Sequence, residues 1–207
     1  MSEEEKIYVS NLQDSFNIFL IGDPSVGKTS ILERYCNNFF KTEKYSRTTI
    51  EIFKKILYLS NKQFQIKFWD IPNLVYNLNE SEKKIIKNCD GIIYVCSYDD
   101  FNSLTHINNW YQALIQNIDL SNKEMILLIN KNDLEENQKV IFEEQIDKKS
   151  KDLQLEYFEI SAKTGDNVSK GIKCIIKKLL EKFDYKSKNK KDEGTTKQDN
   201  RDGCGIF

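Results

Sequence analysis

The chain has one histidine, His106, and no two cysteines spaced as a C-x-x-C pair. Its five cysteines, Cys36, Cys89, Cys96, Cys174 and Cys204, are scattered, so neither the ligands nor the spacing of a zinc site is present. Cys96 and Cys174 fall within apolar patterns and are expected as small core residues. This usage fits the reduced thiols of a cytosolic compartment. No apolar run reaches the roughly 18 residues that a bilayer span requires. Met1-Ser2-Glu3-Glu4-Glu5 is acidic, has no apolar signal core and offers no glycine at position 2 for myristoylation. Charge of one sign is also lacking: 31 Lys and Arg meet 32 Asp and Glu, a formal net charge of −1. Whole-chain electrostatics therefore give no case for a nucleic-acid partner. No internal repeat is visible. His106 lies in a stretch expected to be helical and reads as a surface residue rather than a catalytic base.

What is present is the balance of an ordinary globular chain, 39% apolar and 30% charged over 207 residues. Phe16 to Ile21 reads as a buried strand, and Ile31, Leu32, Tyr35 and Phe39 follow at helical spacing. Asn37 to Thr49 is polar and aperiodic. Ile50 to Leu59 and Gln63 to Asp70 are strand-like, with Phe64, Ile66 and Phe68 alternating with polar residues. The short link Ser60-Asn61-Lys62 predicts an antiparallel hairpin. Pro72 ends the second strand, Asn73 to Asn79 is a second irregular loop, and a helix is expected from about Glu80 to Asn88. Buried strands follow at Gly91 to Cys96 and Met125 to Ile129 and a last strand at Leu155 to Ile160, separated by helices at about Phe101–Asn117 and Phe142–Asp152. A last helix at about Asn167–Phe183 turns Val168, Ile172, Ile175, Leu179 and Phe183 inward. This alternation predicts an α/β architecture with a mostly parallel sheet covered on both sides. The expected organisation is a lead-in over residues 1–15, a domain over 16–184 and a disordered tail over 185–207. Lys186-Ser187-Lys188-Asn189-Lys190-Lys191 and the polar mixture after it can bury no core.

Gly22-Asp23-Pro24-Ser25-Val26-Gly27-Lys28-Thr29-Ser30 matches G-x-x-x-x-G-K-[ST] between the first strand and the first helix. Such a loop turns successive backbone N–H groups onto a phosphate, and the following helix adds its positive end. Gly22, Asp23, Ser25, Val26, Gly27, Lys28, Thr29 and Ser30 are thus candidate phosphate-binding residues. Lys28 would reach the outer phosphates and Thr29 would ligate a bridging Mg2+. In a sheet of this kind ligands sit at the carboxyl ends of strands, where further candidates lie. Asp70 could hold the Mg2+ from the side opposite Thr29. Asp133, in Asn130-Lys131-Asn132-Asp133, could accept paired hydrogen bonds from guanine, whereas adenine would leave it unpaired. Lys131 could cover the base with its stem, and a backbone N–H in Ser161-Ala162-Lys163 could meet the guanine oxygen.

G-x-x-x-x-G-K-T, W-D, N-K-x-D and S-A-K, in this order, resemble the small GTPases of the Ras superfamily across residues 16–183. Trp69 before Asp70, Trp110 and the long tail are most similar to the Rab branch. Thr49-Ile50-Glu51 is equally Ras-like, so Ras- or Rho-like membership stays open. The resemblance implies a three-layer P-loop NTPase fold with a six-stranded, mostly parallel sheet, one antiparallel strand and helices on both faces. It implies GTP/GDP as ligand with Mg2+, and an exchange factor, an activating protein and effectors at two switch loops. It also implies Phe40 against the guanine and a switch I threonine on the Mg2+. Ile50 immediately following favours Thr49, while spacing from Tyr45 and to Asp70 favours Thr48; Thr49 is preferred. Lys28, Thr49 and the residue at the position of the family's glutamine are the implied catalytic set.

That last position departs from the pattern. The family's D-x-x-G-Q reads Asp70-Ile71-Pro72-Asn73-Leu74 here. Asn73 retains an N–H for the terminal phosphate but narrows the loop's freedom. Leu74 cannot orient an attacking water. Intact nucleotide binding with slow intrinsic hydrolysis is the expectation. Pro24 and Ser25 stand where the family often has small residues, and Pro24 removes one donor. The ending Cys204-Gly205-Ile206-Phe207 resembles a C-a-a-X prenylation signal, with Gly205 in a place usually aliphatic. A single prenyl chain beside diluted lysines implies reversible attachment to the cytosolic face of an intracellular or plasma membrane. Two readings stand. One is a Rab-like GTPase switch in vesicle trafficking; the other is a constitutively GTP-bound scaffold without useful turnover.

Overall fold

Strict alternation along the first strand divides the protein into two cores. Ile18 and Leu20 point to one face of the sheet, Phe19 and Ile21 to the other, and all four are buried. A computed structural model describes residues 14–42, 49–59, 62–72, 76 and 78–195. Its strands are β1 (Asp14–Ile21), β2 (Glu51–Leu59), β3 (Lys62–Asp70), β4 (Gly91–Ser97), β5 (Glu124–Asn130) and β6 (Glu156–Glu159). Its helices are α1 (Lys28–Asn37), α2 (Glu80–Lys87), α3 (Phe101–Thr105), α4 (Ile107–Ile115), α5 (Glu143–Leu153) and α6 (Val168–Thr195). The sheet order is β2-β3-β1-β4-β5-β6. Only β2 runs antiparallel, paired to β3; every other neighbour is parallel. This is the sheet that the alternation of elements predicts.

One core packs Ile31 and Leu32 of α1 and Ile172, Ile175 and Leu179 of α6 against Ile66, Phe68, Ile93, Val95 and Leu128. The other packs Ile86, Leu104, Ile107, Trp110, Leu114 and Ile146 against Phe19, Tyr94, Cys96, Leu127 and Ile129. Each such side chain contributes about 1.5–3 kcal/mol by leaving water, so the two helical layers are held chiefly by these stripes. β4 is buried at every position, as its unbroken run Ile92 to Cys96 requires of a central parallel strand. At α2, only Ile86 is buried, and a cap compensates. Asn79 Oδ1 accepts from the N–H groups of Ser81 and Glu82, and the Asn79 N–H donates to Glu82 Oε2 at 2.8 Å.

Several boundaries differ from the sequence expectation. β1 begins at Asp14, inside the expected lead-in, because Asp14 and Ser15 already pair with Phe64 and Gln65. α1 ends at Asn37 with Asn38 in the left-handed region (φ 51°), so Phe39 leaves the helical stripe and is exposed. The single helix expected over 101–117 is interrupted at His106. The N–H groups of His106 and Trp110 still bond back to Asn102 and His106, which keeps α3 and α4 in line. α6 continues past Asp184 to Thr195. Lysine and glutamate favour helix without needing burial, whereas the expectation of disorder there rested on the lack of apolar residues. Cys96 is fully buried as expected, but Cys174 is only partly so, and its thiol donates to Glu156 Oε2 at 3.3 Å. No helix among the described residues is long and apolar enough to cross a membrane.

Parallel pairing gathers the strand ends at one edge. Leu20 lies beside Asp70, Ser97 beside Asn130 and Ile129 beside Glu159. Every motif singled out from the sequence between Gly22 and Lys163 leaves from this edge.

Candidate nucleotide site

Between β1 and α1, residues 22–27 form a turn that only glycine allows at its two ends. A Cβ on Gly22 would stand 2.1 Å from the Val95 carbonyl oxygen, and one on Gly27 would stand 2.3 Å from Asn130 Nδ2. Gly27 also has φ +97°. Ser25 takes the left-handed region with a side chain (φ 65°), a conformation that costs roughly 1–2 kcal/mol. Gly27 caps α1 without a side-chain acceptor, and no acidic residue sits in the first turn. The helix start therefore keeps both free N–H groups and an unopposed positive end for an anion. Lys28 Nζ reaches back over the loop and donates to the carbonyls of Gly22 (2.8 Å) and Asp23 (2.9 Å). Burial pushes its pKa below the usual lysine value, and the charges of Asp70 and Asp23 oppose that fall. The Thr29 hydroxyl donates to Asp70 Oδ2, and Asp70 is buried. A hydroxyl and a carboxylate side by side are the hard oxygen donors that suit Mg2+, and they lie beside the turn whose glycines leave room for a phosphate. The residues present fit that ion.

The loops after β5 and β6 meet this turn through one side chain. Asn130 is 2% exposed; its Nδ2 donates to the Val26 carbonyl at 2.9 Å and its Oδ1 accepts from the Ala162 N–H at 3.0 Å. Arg34 of α1 clamps the same loop, donating to the carbonyls of Ala162 (2.9 Å) and Lys163 (2.6 Å). Asp133 Oδ1 accepts from the Ser161 hydroxyl at 2.6 Å, and Lys163 Nζ stands 3.5 Å from Oδ2. Ser161 accepts in turn from the Thr164 N–H. Lys131, at φ 68°, places its ammonium on both oxygens of Asp99, at 2.9 and 2.8 Å. Burial pushes the Asp99 carboxyl up, but hydrogen bonds from Lys131 and Ser97 outweigh it, and its pKa lies below the usual aspartate value.

A model of the Ras family matches residues 17–181. The chain belongs to the Ras family. Ras-related protein Rab-13 of Mesocricetus auratus is 30% identical over 169 residues, covering 80% of each chain. Ras-related protein RABG3f of Arabidopsis thaliana is 26% identical over 199 residues, 90% of this chain and 94% of that one. GTP-binding protein Rab-3D of Rattus norvegicus is 28% identical over 177 residues, 84% of this chain and 78% of that one. The protein is a small GTPase of the Ras superfamily, close to Rab, and its sheet is the mixed sheet of that fold.

Within this GTPase the expected residues divide into three groups. The loop 22–30, Asp70, Asn130, Lys131, Asp133 and Ser161 to Lys163 are gathered at the strand-end edge. Phe40 is partly buried and packs against the α1–α6 core. Thr49 is exposed, at the start of β2 two residues before Glu51, which pairs with Asp70; this puts it at the same edge. Thr48, Asn73, Leu74 and Cys204 lie outside the described residues.

Sequence reasoning missed what Asp23 does. Its carboxylate does not stay among the loop's own groups: Oδ1 accepts from the Trp110 indole N–H (3.0 Å) and the Tyr76 hydroxyl (3.1 Å), and Oδ2 lies 2.6 Å from His106 Nδ1. A carboxylate has no proton to give, so the imidazole carries it on Nδ1. Tyr76 packs edge-on against Trp110 and His106. Burial and the Asp23 charge push its hydroxyl up to about 12. His106, expected as a plain surface residue, is thus half of this arrangement together with Trp110 one helical turn on. That i, i+4 spacing was readable; its partner, far back in the chain, was not.

Proposed function

We propose that this small GTPase is a Rab-like switch: it binds GTP and GDP with Mg2+, cycles between two switch conformations and recruits effectors in membrane trafficking. The observation that carries the ligand assignment is the Asn130 brace, which holds the phosphate turn and the Asp133–Ser161 base loop in one unit. Guanine offers paired donors to Asp133, and adenine offers no such pair. Gly22, Asp23, Ser25, Val26, Gly27, Lys28, Thr29 and Ser30 bind the phosphates through backbone N–H groups, the Lys28 ammonium and the helix end. Thr29, Asp70 and Thr49 would hold a Mg2+, which would supply positive charge to the phosphates. Burial lowers the Lys28 pKa while the Asp70 and Asp23 charges oppose that fall, and phosphate charge would oppose it further. Phe40 supports the guanine from the core side.

Hydrolysis is slow in this reading. Leu74 has no polar atom to orient a water, and Asn73 restricts the turn that carries it. The same two residues favour a second reading, a GTP-bound scaffold that signals without turnover. In both readings Cys204 carries a prenyl group and attachment to the cytosolic membrane face is reversible. Exchange factor, activating protein and effectors meet the switch loops.

Single-turnover hydrolysis of preloaded GTP, with and without cell extract, separates the two. Slow release of phosphate that extract accelerates supports the switch. No release under either condition, with GTP retained, overturns it in favour of the scaffold. Asp133→Asn tests the base pocket: guanine nucleotide affinity falls by about 10²-fold or more, and unchanged affinity refutes the assignment.

A further inference from the structure

We infer that Tyr76, His106 and Trp110 are positioning residues for the phosphate turn: they hold the Asp23 carboxylate away from the anion that the turn binds. The inference rests on the nucleotide assignment above. Asp23 is the first residue after Gly22, in a loop whose work is to collect positive ends of dipoles around a phosphate. An acid in that place opposes the loop's purpose, since a negative charge within several ångströms of a phosphate in a poorly hydrated site weakens binding. Here the two polar ends of the residue are separated. The Asp23 carbonyl faces Lys28 Nζ at 2.9 Å, while the carboxylate is taken up by three ring donors from outside the loop. Its side chain is 13% exposed, so water cannot do this screening instead. Three donors spread the charge and fix its direction.

The donors come from two places. His106 and Trp110 bracket the start of α4, a rigid support in the second core. Tyr76 comes from the loop that follows Asp70, between β3 and α2. The phenol therefore ties the stretch of chain after β3 to Asp23 of the phosphate turn.

The test is dissociation of a fluorescent GDP analogue from the full chain in excess Mg2+. Tyr76→Phe with His106→Ala removes two donors and keeps the Trp110 support. Release accelerates about tenfold or more. Adding Asp23→Asn removes the charge that the donors restrained, and release returns to within about threefold of the wild-type rate. A merely structural tether predicts that the acceleration persists, because the amide oxygen that Asp23→Asn leaves still accepts from the Trp110 N–H and restores neither of the two lost donors. If the double variant does not fold, Tyr76→Phe alone, which loses one hydroxyl, gives about a threefold acceleration that Asp23→Asn reverses. Equal rates in all variants, or acceleration that Asp23→Asn does not reverse, overturn the inference. Failure of the wild-type protein to hold the analogue overturns the nucleotide assignment instead.

Discussion

Asn130→Ala is the most demanding test of how the site is assembled. The side chain makes two hydrogen bonds, one to the Val26 carbonyl and one from the Ala162 N–H. Val26, Asn130 and Ala162 are 1%, 2% and 2% exposed, so all the partners are out of water. Each bond has a net worth of about 1 kcal/mol, and each buried partner left alone costs about 1–3 kcal/mol. The truncation also empties the space against which the missing Cβ of Gly27 is set, and one water can enter it and recover part of the loss. A destabilisation of about 3 kcal/mol is therefore expected. In a domain of this size that lowers Tm by roughly 6–12 °C. Urea titration at room temperature, followed by circular dichroism, shows a lower midpoint with an unchanged slope.

A second variant isolates the geometry. Asn130→Asp keeps the shape and the acceptor for Ala162, but places an oxygen against the Val26 carbonyl. It is at least as damaging as Asn130→Ala, because a repulsive pair replaces a lost one. A change below about 1 kcal/mol for the alanine variant refutes the brace, as does an aspartate variant more stable than the alanine one. Either result would mean that the turn and the two base loops are held without Asn130, by the sheet and the Arg34 clamp.

Three other outcomes follow from individual side chains. The Tyr94 hydroxyl is the one buried side-chain polar atom without a hydrogen-bond partner among the described residues, so Tyr94→Phe stabilises by about 1 kcal/mol in the same titration; destabilisation refutes this. Burial pushes the Cys89 thiol up to about 11 and raises Cys96 too; peptide mapping after mild alkylation finds both unmodified in the folded protein, and early labelling of either refutes their placement. The lowered pKa of Asp99 contributes stability that is present above the ordinary aspartate pKa and is lost as pH falls through its folded value. Asp99→Asn therefore weakens the pH dependence of stability on the acid side, and an unchanged acid limb means that the Lys131 pair contributes nothing.

The sheet and the placement of the site were legible because both depend on short-range pattern. Alternation at Phe64, Ile66 and Phe68, continuous burial at Ile92 to Cys96 and the glycine-bounded turn each state a local requirement that the fold meets. Asp70, Asn130 and Asp133 then follow from position, since each comes just after a strand that must end at one edge. The rest failed for identifiable reasons. Phe39 matched the helical period, but the left-handed Asn38 ended α1 at Asn37, two residues before it. The extension of α6 to Thr195 was missed because lack of a core was taken as lack of helix, although Lys and Glu form helix without burial. The partners of the Asp23 carboxylate were not legible, because its three donors come from distant elements that no spacing rule connects.

The braces differ in how they depend on the moving parts of the protein. Asn130 and Arg34 connect elements that the sheet and α1 already hold, so the base loops and the phosphate turn are set before any ligand arrives. Lys28 is poised by carbonyls of the turn itself. Asp23 alone is bonded to a residue of the loop between β3 and α2, through Tyr76. The unusual Asn73 and Leu74 lie in that same loop. In the proposed switch, Asn73 and Leu74 would slow hydrolysis without loosening the base loops, whereas nucleotide release would be tied to Tyr76 through its bond to Asp23. On that proposal grip and turnover would be separable, and Tyr76 would be the point at which they meet.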